Sequence, residues 1–210
     1  MTTDAAASGR IGPNAVIRLA EAATDRLGHA ACAGVFQAAG LAHRLETPPD
    51  AMVVETEVVS LYRALAERAP ADAESVAAEA GRRTGDYLLA YRIPKPVQWV
   101  LKRLPAALAA RVLLGAIGKH AWTFAGTGRF AAEAGRGARV RVIGGPFASP
   151  GAAAGPLRAF YAAVFTRLFS VLVSPAASAL ARVEDGVCAI RLDWRRGAAA
   201  DPLPKAAQLG

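Results

Sequence analysis

Acidic residues are nearly missing from the middle of this sequence. Tyr87–Val183 holds one, Glu133, against thirteen bases, whereas Met1–Asp86 has eight bases and twelve acids. A neutral solvated face intersperses both signs, so the middle segment is not one. The net charge of +8 is therefore local to it, and a field of one sign draws anions. Cysteine is scarce as well: Cys32 and Cys188 give no disulfide framework and no C-x-x-C pair, which points to a reducing compartment. The three histidines, His29, His43 and His120, lack metal-ligand or triad spacing, so no metal site is expected. Long apolar runs are missing too. Leu104–Gly118 is broken by Arg111 and Ala159–Val173 by Arg167, and a span needs about 20 mostly apolar residues. Met1–Arg10 lacks an apolar signal core. A cytoplasmic protein that can touch a membrane surface is expected.

What is present is an alanine-rich, 53% hydrophobic chain of 210 residues, enough for one core or two small ones. We expect a disordered arm over 1–10, one α+β domain over 11–196 and a flexible tail over 197–210. Gly12-Pro13-Asn14 reads as a helix start with Asn14 as cap, followed by Val16, Ala20, Ala23 and Leu27 at helical spacing. Cys32–Leu41 is a short apolar piece of open type. Asp50 can cap a helix carrying Val54, Val58, Leu61, Tyr62 and Leu65 on one face. A helix over Ala73–Tyr91 places Val76, Ala80, Tyr87, Leu88 and Tyr91 on a stripe, with Glu79 and Arg83 paired outside.

Two basic amphipathic helices follow, Val97–Arg103 and Ala106–Lys119. Trp122 and Phe124 then alternate like a strand toward Gly126, and Val140 and Val142 alternate with Arg139 and Arg141. Gly144–Gly155 reads as a loop. Leu157, Phe160, Tyr161, Val164, Phe165, Leu168 and Leu172 form the strongest helical stripe. Asp185-Gly186 is a hairpin signal, after which Cys188, Ile190, Leu192 and Trp194 share one face. Helices first, then strand–strand–helix–strand–strand, is an α+β order with an antiparallel sheet.

Gly126-Thr127-Gly128-Arg129-Phe130-Ala131 matches the loose dinucleotide fingerprint, but no helix follows it and no ribose-binding acid lies downstream. A tight turn between antiparallel strands is the expected role, and no nicotinamide, flavin or P-loop site is evident. Trp99, Trp122, Phe124, Phe130, Phe160, Tyr161, Phe165 and Phe169 either line a pocket for a flat apolar ligand or form ordinary core. His120 is either a half-buried histidine at a junction or a ligand or hydrogen-bond donor to a bound molecule. Nucleic-acid binding fits the charge but has no recognisable module here.

Arg10-Ile11-Gly12-Pro13-Asn14-Ala15, Gly81-Arg82-Arg83-Thr84-Gly85-Asp86-Tyr87-Leu88, His120-Ala121-Trp122-Thr123-Phe124-Ala125-Gly126 and the hairpin through Cys188 together resemble the bacteriochlorophyll-biosynthesis proteins called 4-vinyl reductase (BchJ type). The second half, from about 87 to 196, resembles the wider 4-vinyl reductase domain, a small-molecule-binding α+β module related to TRAPP-type subunits. The resemblance implies a role at the 8-vinyl (4-vinyl) reduction stage, as binder or carrier of a divinyl protochlorophyllide or chlorophyllide, a Mg-tetrapyrrole. Arg129, Arg139 and Arg141 are then candidates for carboxylate or surface contacts, and His120, Trp122 and Phe124 for the ring. Alternatives are the reductase itself, with NADPH or another external hydride donor, and a peripheral assembly factor on the photosynthetic membrane. A homodimer, pathway enzymes and an anionic membrane surface are the implied partners. Some members of the wider family bind zinc near the last hairpin, but only Cys188 matches that pattern, and a core-facing thiol is expected.

Overall fold

The computed structural model describes residues 9–146, 151–184 and 187–194. A two-residue ribbon, β1 (Arg10–Ile11) with β2 (Val53–Val54), brackets α1 (Asn14–Leu27), α2 (His29–Ala38) and the single turn α3 (His43–Glu46). Helices α4 (Glu55–Arg68) and α5 (Ala73–Tyr87) follow, and α5 runs into a π-helical segment, Leu88–Arg92. Then come α6 (Lys95–Leu101), α7 (Ala106–Lys119) and the single turn α8 (Trp122–Ala125). Strands β3 (Arg129–Ala134) and β4 (Ala138–Ile143), helix α9 (Ala154–Leu172), and strands β5 (Ser178–Glu184) and β6 (Val187–Asp193) complete the chain. The four-stranded sheet is antiparallel throughout, in the order β3-β4-β6-β5. This is the α+β arrangement expected from the order of patterns.

Helix α9 is the hinge of the packing. Leu157, Phe160, Tyr161, Val164, Phe165, Leu168, Phe169 and Leu172 are all buried, because one side meets α5 and the other meets β5 and β6. A helix apolar on most of its circumference needs such a double cover. On the α5 side the approach is close. A Cβ at Gly81 would run into the Phe160 carbonyl, and one at Gly85 would lie 2.7 Å from the Arg167 Cβ. The glycine spacing of Gly81-Arg82-Arg83-Thr84-Gly85 is thus a packing requirement. The charged residues in and beside it are tied down too: Arg83 bonds Glu79 and Asp25, and Asp86 accepts from Arg82 at 2.9 Å and Arg167 at 2.6 Å.

On the sheet side, Val140, Val142, Cys188, Ile190 and Leu192 point inward and are fully buried. Arg139 and Arg141 point out, as alternation requires. Trp194 stacks on Phe169 at 6.2 Å. The buried side chains of the N-terminal helices, α9 and the sheet form one cluster.

Several expectations need correction. Asn14 is the first residue of α1 rather than its cap, and Pro13 occupies the cap position. Asp50 caps nothing, since Val53–Val54 pair with β1 before α4 begins. The apolar piece at Cys32–Leu41 is helix α2, ending at Ala38. Tyr91 leaves the expected stripe and is exposed, because the π-helical turn rotates it outward and buries Leu89 instead. Trp122 and Phe124 lie on a helical turn, not a strand: Thr123 and Phe124 donate to the carbonyls three residues back. Alternation over three residues cannot separate a strand from one helical turn. The Gly126-Thr127-Gly128 turn therefore joins a helix to edge strand β3. The Asp185-Gly186 pair and the tail over 197–210 lie outside the described residues, as does part of the Gly144–Gly155 loop. Strands β5 and β6 on either side of Asp185-Gly186 pair antiparallel, Glu184 opposite Val187.

Candidate groove between helix α7 and edge strand β3

Helix α7 buries Ala109, Ala110, Leu113 and Leu114 and leans against β3. Two glycines in its last two turns, Gly115 and Gly118, thin the helix on the side toward β3. An open groove of about 360 Å³ results, lined by Arg111, Leu114, Gly115, Gly118, Phe130 and the alanines of β3. Glycine in a helix interior costs roughly 1 kcal/mol relative to alanine, so two within four residues need a reason. At Gly118 the reason is contact, since a Cβ there would lie 3.4 Å from the Phe130 ring. At Gly115 nothing lies within 4 Å, and the space is left open. Among the described residues, Arg111 is the one charged residue lining the groove.

The wall beneath is aromatic. Phe130 meets Phe124 edge to face, with centroids 5.7 Å apart and planes at 89°. The Tyr161 hydroxyl donates to the Phe124 carbonyl at 3.4 Å, and burial pushes that phenol well above its ordinary pKa. Cys188 lies fully buried beyond it. Burial pushes its thiol up to about 11, with Arg158 pulling the other way. Cys188 thus faces the core, as expected.

The α8–β3 turn is held from across the chain. Glu55, in the first turn of α4, accepts from the Thr127 backbone N–H at 2.8 Å and from its hydroxyl at 2.8 Å. Gly126 takes a φ of +57°, and a Cβ there would strike the Glu55 carboxylate. Here both the left-handed angle and the close approach demand glycine. The Gly12 N–H adds a bond to the Thr123 carbonyl at 2.7 Å. A carboxylate already satisfies the Thr127 N–H, so the glycine turn presents an acid where a phosphate cradle presents open donors.

The sequence-derived candidates divide into two places. His120 caps the C-terminus of α7, two residues beyond Gly118, and its carbonyl accepts the Thr123 hydroxyl at 2.7 Å. Its side chain is exposed, Trp122 is exposed, and Phe124 is half-buried under Phe130. Phe124 meets Phe130 of the groove wall, whereas Arg129 alternates with Phe130 and projects to the solvent face of the sheet. Arg139 and Arg141 share that solvent face, where Arg139 stands between Glu133 and Arg191 in the register. Of the aromatic set, Phe160, Tyr161, Phe165 and Phe169 are core. Sequence reading passed over Arg111, Gly115 and Gly118, although the glycine pair in an otherwise good helix is a readable signal. Glu55 carried no such signal, because its partner lies 72 residues away.

Among the described residues no cluster of three or more His, Cys, Asp or Glu is placed to hold a metal. No protein-family model matches the chain. By fold it is similar to an Fe(II) unliganded H-NOX protein from K. algicida, with a TM-score of 0.57 at 8% identity, covering 90% of this chain and 98% of that one. A structure from work probing heme distortion in the H-NOX family matches with a TM-score of 0.52 at 11% identity, covering 91% and 98%. These likenesses support the α+β architecture through H-NOX proteins, where the sequence resemblance pointed to TRAPP-type subunits. By sequence the chain is 41% identical over 175 residues to the bacteriochlorophyll synthase 23 kDa chain of Cereibacter sphaeroides, covering 83% of this chain and 84% of that one. The protein of the same name from Rhodobacter capsulatus is 40% identical over 167 residues, covering 79% and 76%. At that identity and coverage, the chain belongs to the family of the bacteriochlorophyll synthase 23 kDa chain.

Proposed function

We propose that this protein serves bacteriochlorophyll formation by binding a Mg-tetrapyrrole intermediate of the divinyl protochlorophyllide or chlorophyllide type. It presents that intermediate at the stage where the 8-vinyl group is reduced. The observation that carries this reading is the open apolar groove with a single charge on its lining. A tetrapyrrole of this type is a flat apolar ring bearing a carboxylate, and such a ligand needs an apolar slot with one placed cation. Leu114, Phe130 and the β3 alanines take one edge of the ring, and the Arg111 guanidinium pairs with the carboxylate. His120 would offer its imidazole to the magnesium that the ring carries and Trp122 would lie against the exposed part of the ring, while Arg129 projects to the solvent face of the sheet. Arg139 and Arg141 share that face and lie outside the groove lining.

The volume is near the lower end of the range for small-molecule sites, which suits a carrier that holds a pigment by one edge and passes it on. The likeness to a structure from work on heme distortion adds support, since heme is a tetrapyrrole. Family membership supports the pathway.

The test is a titration of purified protein with protochlorophyllide and with chlorophyllide, followed by absorbance shift and fluorescence quenching. Wild type binds with a spectral shift, Arg111→Ala binds at least tenfold more weakly, and His120→Ala loses the shift of the axial ligand. No spectral response by the wild type would sink the reading. Turnover of a divinyl substrate with NADPH by this chain alone would replace carriage with catalysis.

A further inference from the structure

We propose that the face formed by α6, α7 and the preceding π-helical turn is a docking surface for an anionic lipid bilayer. The segment Tyr91–Lys119 contains six bases and no acid. Large apolar side chains on it are turned to solvent: Tyr91 is 76% exposed, Trp99 57% and Val100 48%. Helix α7 repeats the pattern one element later. Its buried stripe is Ala109, Ala110, Leu113 and Leu114, while Leu108 and Val112 face out with Arg111 and Lys119 on the same exposed side. An outward apolar stripe flanked by bases, and no acid to offset them, is the pattern of a helix lying in the interface of an anionic membrane.

The detail at Trp99 fits the same environment. The Arg103 guanidinium sits over its ring, 3.7 Å from the centroid, so an amphipathic ring and a cation are presented together at the level of lipid headgroups. Among the described residues no helix is long and apolar enough to cross a bilayer, so contact through this face is peripheral. A second copy of the chain is a poor occupant, because two surfaces bearing six bases and no acid would repel on approach. An anionic bilayer supplies the missing charge and an apolar bed at once.

The inference does not depend on pigment, and its test uses none. The full chain is mixed with vesicles of equal phosphatidylglycerol and phosphatidylcholine, or of phosphatidylcholine alone, and bound protein is read by co-sedimentation. Trp99 and Trp122 are exposed while Trp194 is buried, so a blue shift of tryptophan emission gives a second readout. Wild type should bind the mixed vesicles and leave the neutral ones. It should be released at high salt, where the Debye length falls to about 3 Å. Each base near the surface contributes about fivefold to partition, so Lys102→Ala with Arg103→Ala should weaken binding about 25-fold. Trp99→Ser with Val100→Ser should weaken it at unchanged charge. The control pair, Arg139→Ala with Arg141→Ala on the sheet, removes the same charge elsewhere and should change binding by less than threefold. Equal losses for the two charge pairs would reduce the effect to net charge and overturn the proposal. So would failure of wild type to bind the mixed vesicles, or a dimer that Trp99→Ser with Val100→Ser dissociates.

Discussion

Replacing Gly115 with leucine separates two roles that usually move together, fold stability and ligand binding. The position lies inside α7, and a Cβ added there meets nothing within 4 Å. Glycine is roughly 0.8–1.0 kcal/mol worse than alanine in a helix interior, and leucine is close to alanine. The variant should therefore gain most of that difference, and Tm should rise by about 2–4 °C for a chain of this size. The same side chain enters a groove of about 360 Å³. Each ~60 Å² of apolar pigment contact it displaces removes ~1.5 kcal/mol, about tenfold in Kd. Gly115→Ala should fall between the two in binding and match leucine in stability. The assay is a thermal melt beside a pigment titration of all three proteins. If Gly115→Leu is more stable yet binds pigment within twofold of wild type, the α7–β3 groove is not the site. If it is destabilised, the space beside Gly115 is not open and the reasoning fails earlier.

Three other substitutions test the scaffold. Gly81→Ala should do the reverse of the Gly115 series: the clash with the Phe160 carbonyl costs ~1–3 kcal/mol or more, outweighing the helix-propensity gain, and denaturant unfolding should show a lower midpoint. Glu55→Ala removes both acceptors from Thr127 and should lower stability by ~1–2 kcal/mol after allowance for solvent exposure, a loss readable in the same unfolding curve. Glu79 is held near pKa 2, below its usual 4.5, first by the hydrogen bond from Arg82 and then by that from Arg83. Its contribution is present above pH 4.5 and is lost as pH falls from there toward 2. Screening by solvent keeps this to ~1 kcal/mol, so Glu79→Gln should flatten that part of the acid limb and leave stability above pH 5 lower by the same amount.

The parts of the fold that were legible are those where one chemical period runs long enough to be unambiguous. Helix α9 shows seven large apolar residues at helical spacing, and β4 and β6 show strict alternation, so burial followed the pattern residue by residue. The errors fall where the pattern is short or where a distant contact decides. Trp122-Thr123-Phe124 offers only three residues, and its helical turn is settled by bonds to His120 and Ala121 and by Gly12, just past β1. The Gly-Thr-Gly turn joins a helix to β3 instead of two strands, and its setting follows from Glu55, which no local pattern connects to it. Tyr91 failed for another reason: a single π-helical turn shifts the phase, and periodicity arguments assume the phase is kept. The groove is hard to read from sequence because its signal, Gly115 and Gly118, is an absence of side chains.

Helix α7 also explains why basic residues and small ones occur together in this part of the chain. Its buried stripe anchors it to the core, its glycines open the groove toward β3, and its outward stripe of Leu108 and Val112 faces solvent. Arg111 belongs to both of the last two surfaces, lining the groove and standing beside Val112 on the exposed side. An acid anywhere along α7 would compete for that guanidinium and weaken its field toward either anion, pigment carboxylate or lipid phosphate. The near-absence of acids from Tyr87 to Val183 is therefore most demanding at this helix. On the sheet, Glu133 stands opposite Arg139 on the solvent face and is not among the residues that line the groove. The one acid the segment tolerates lies outside the residues proposed to receive either anion.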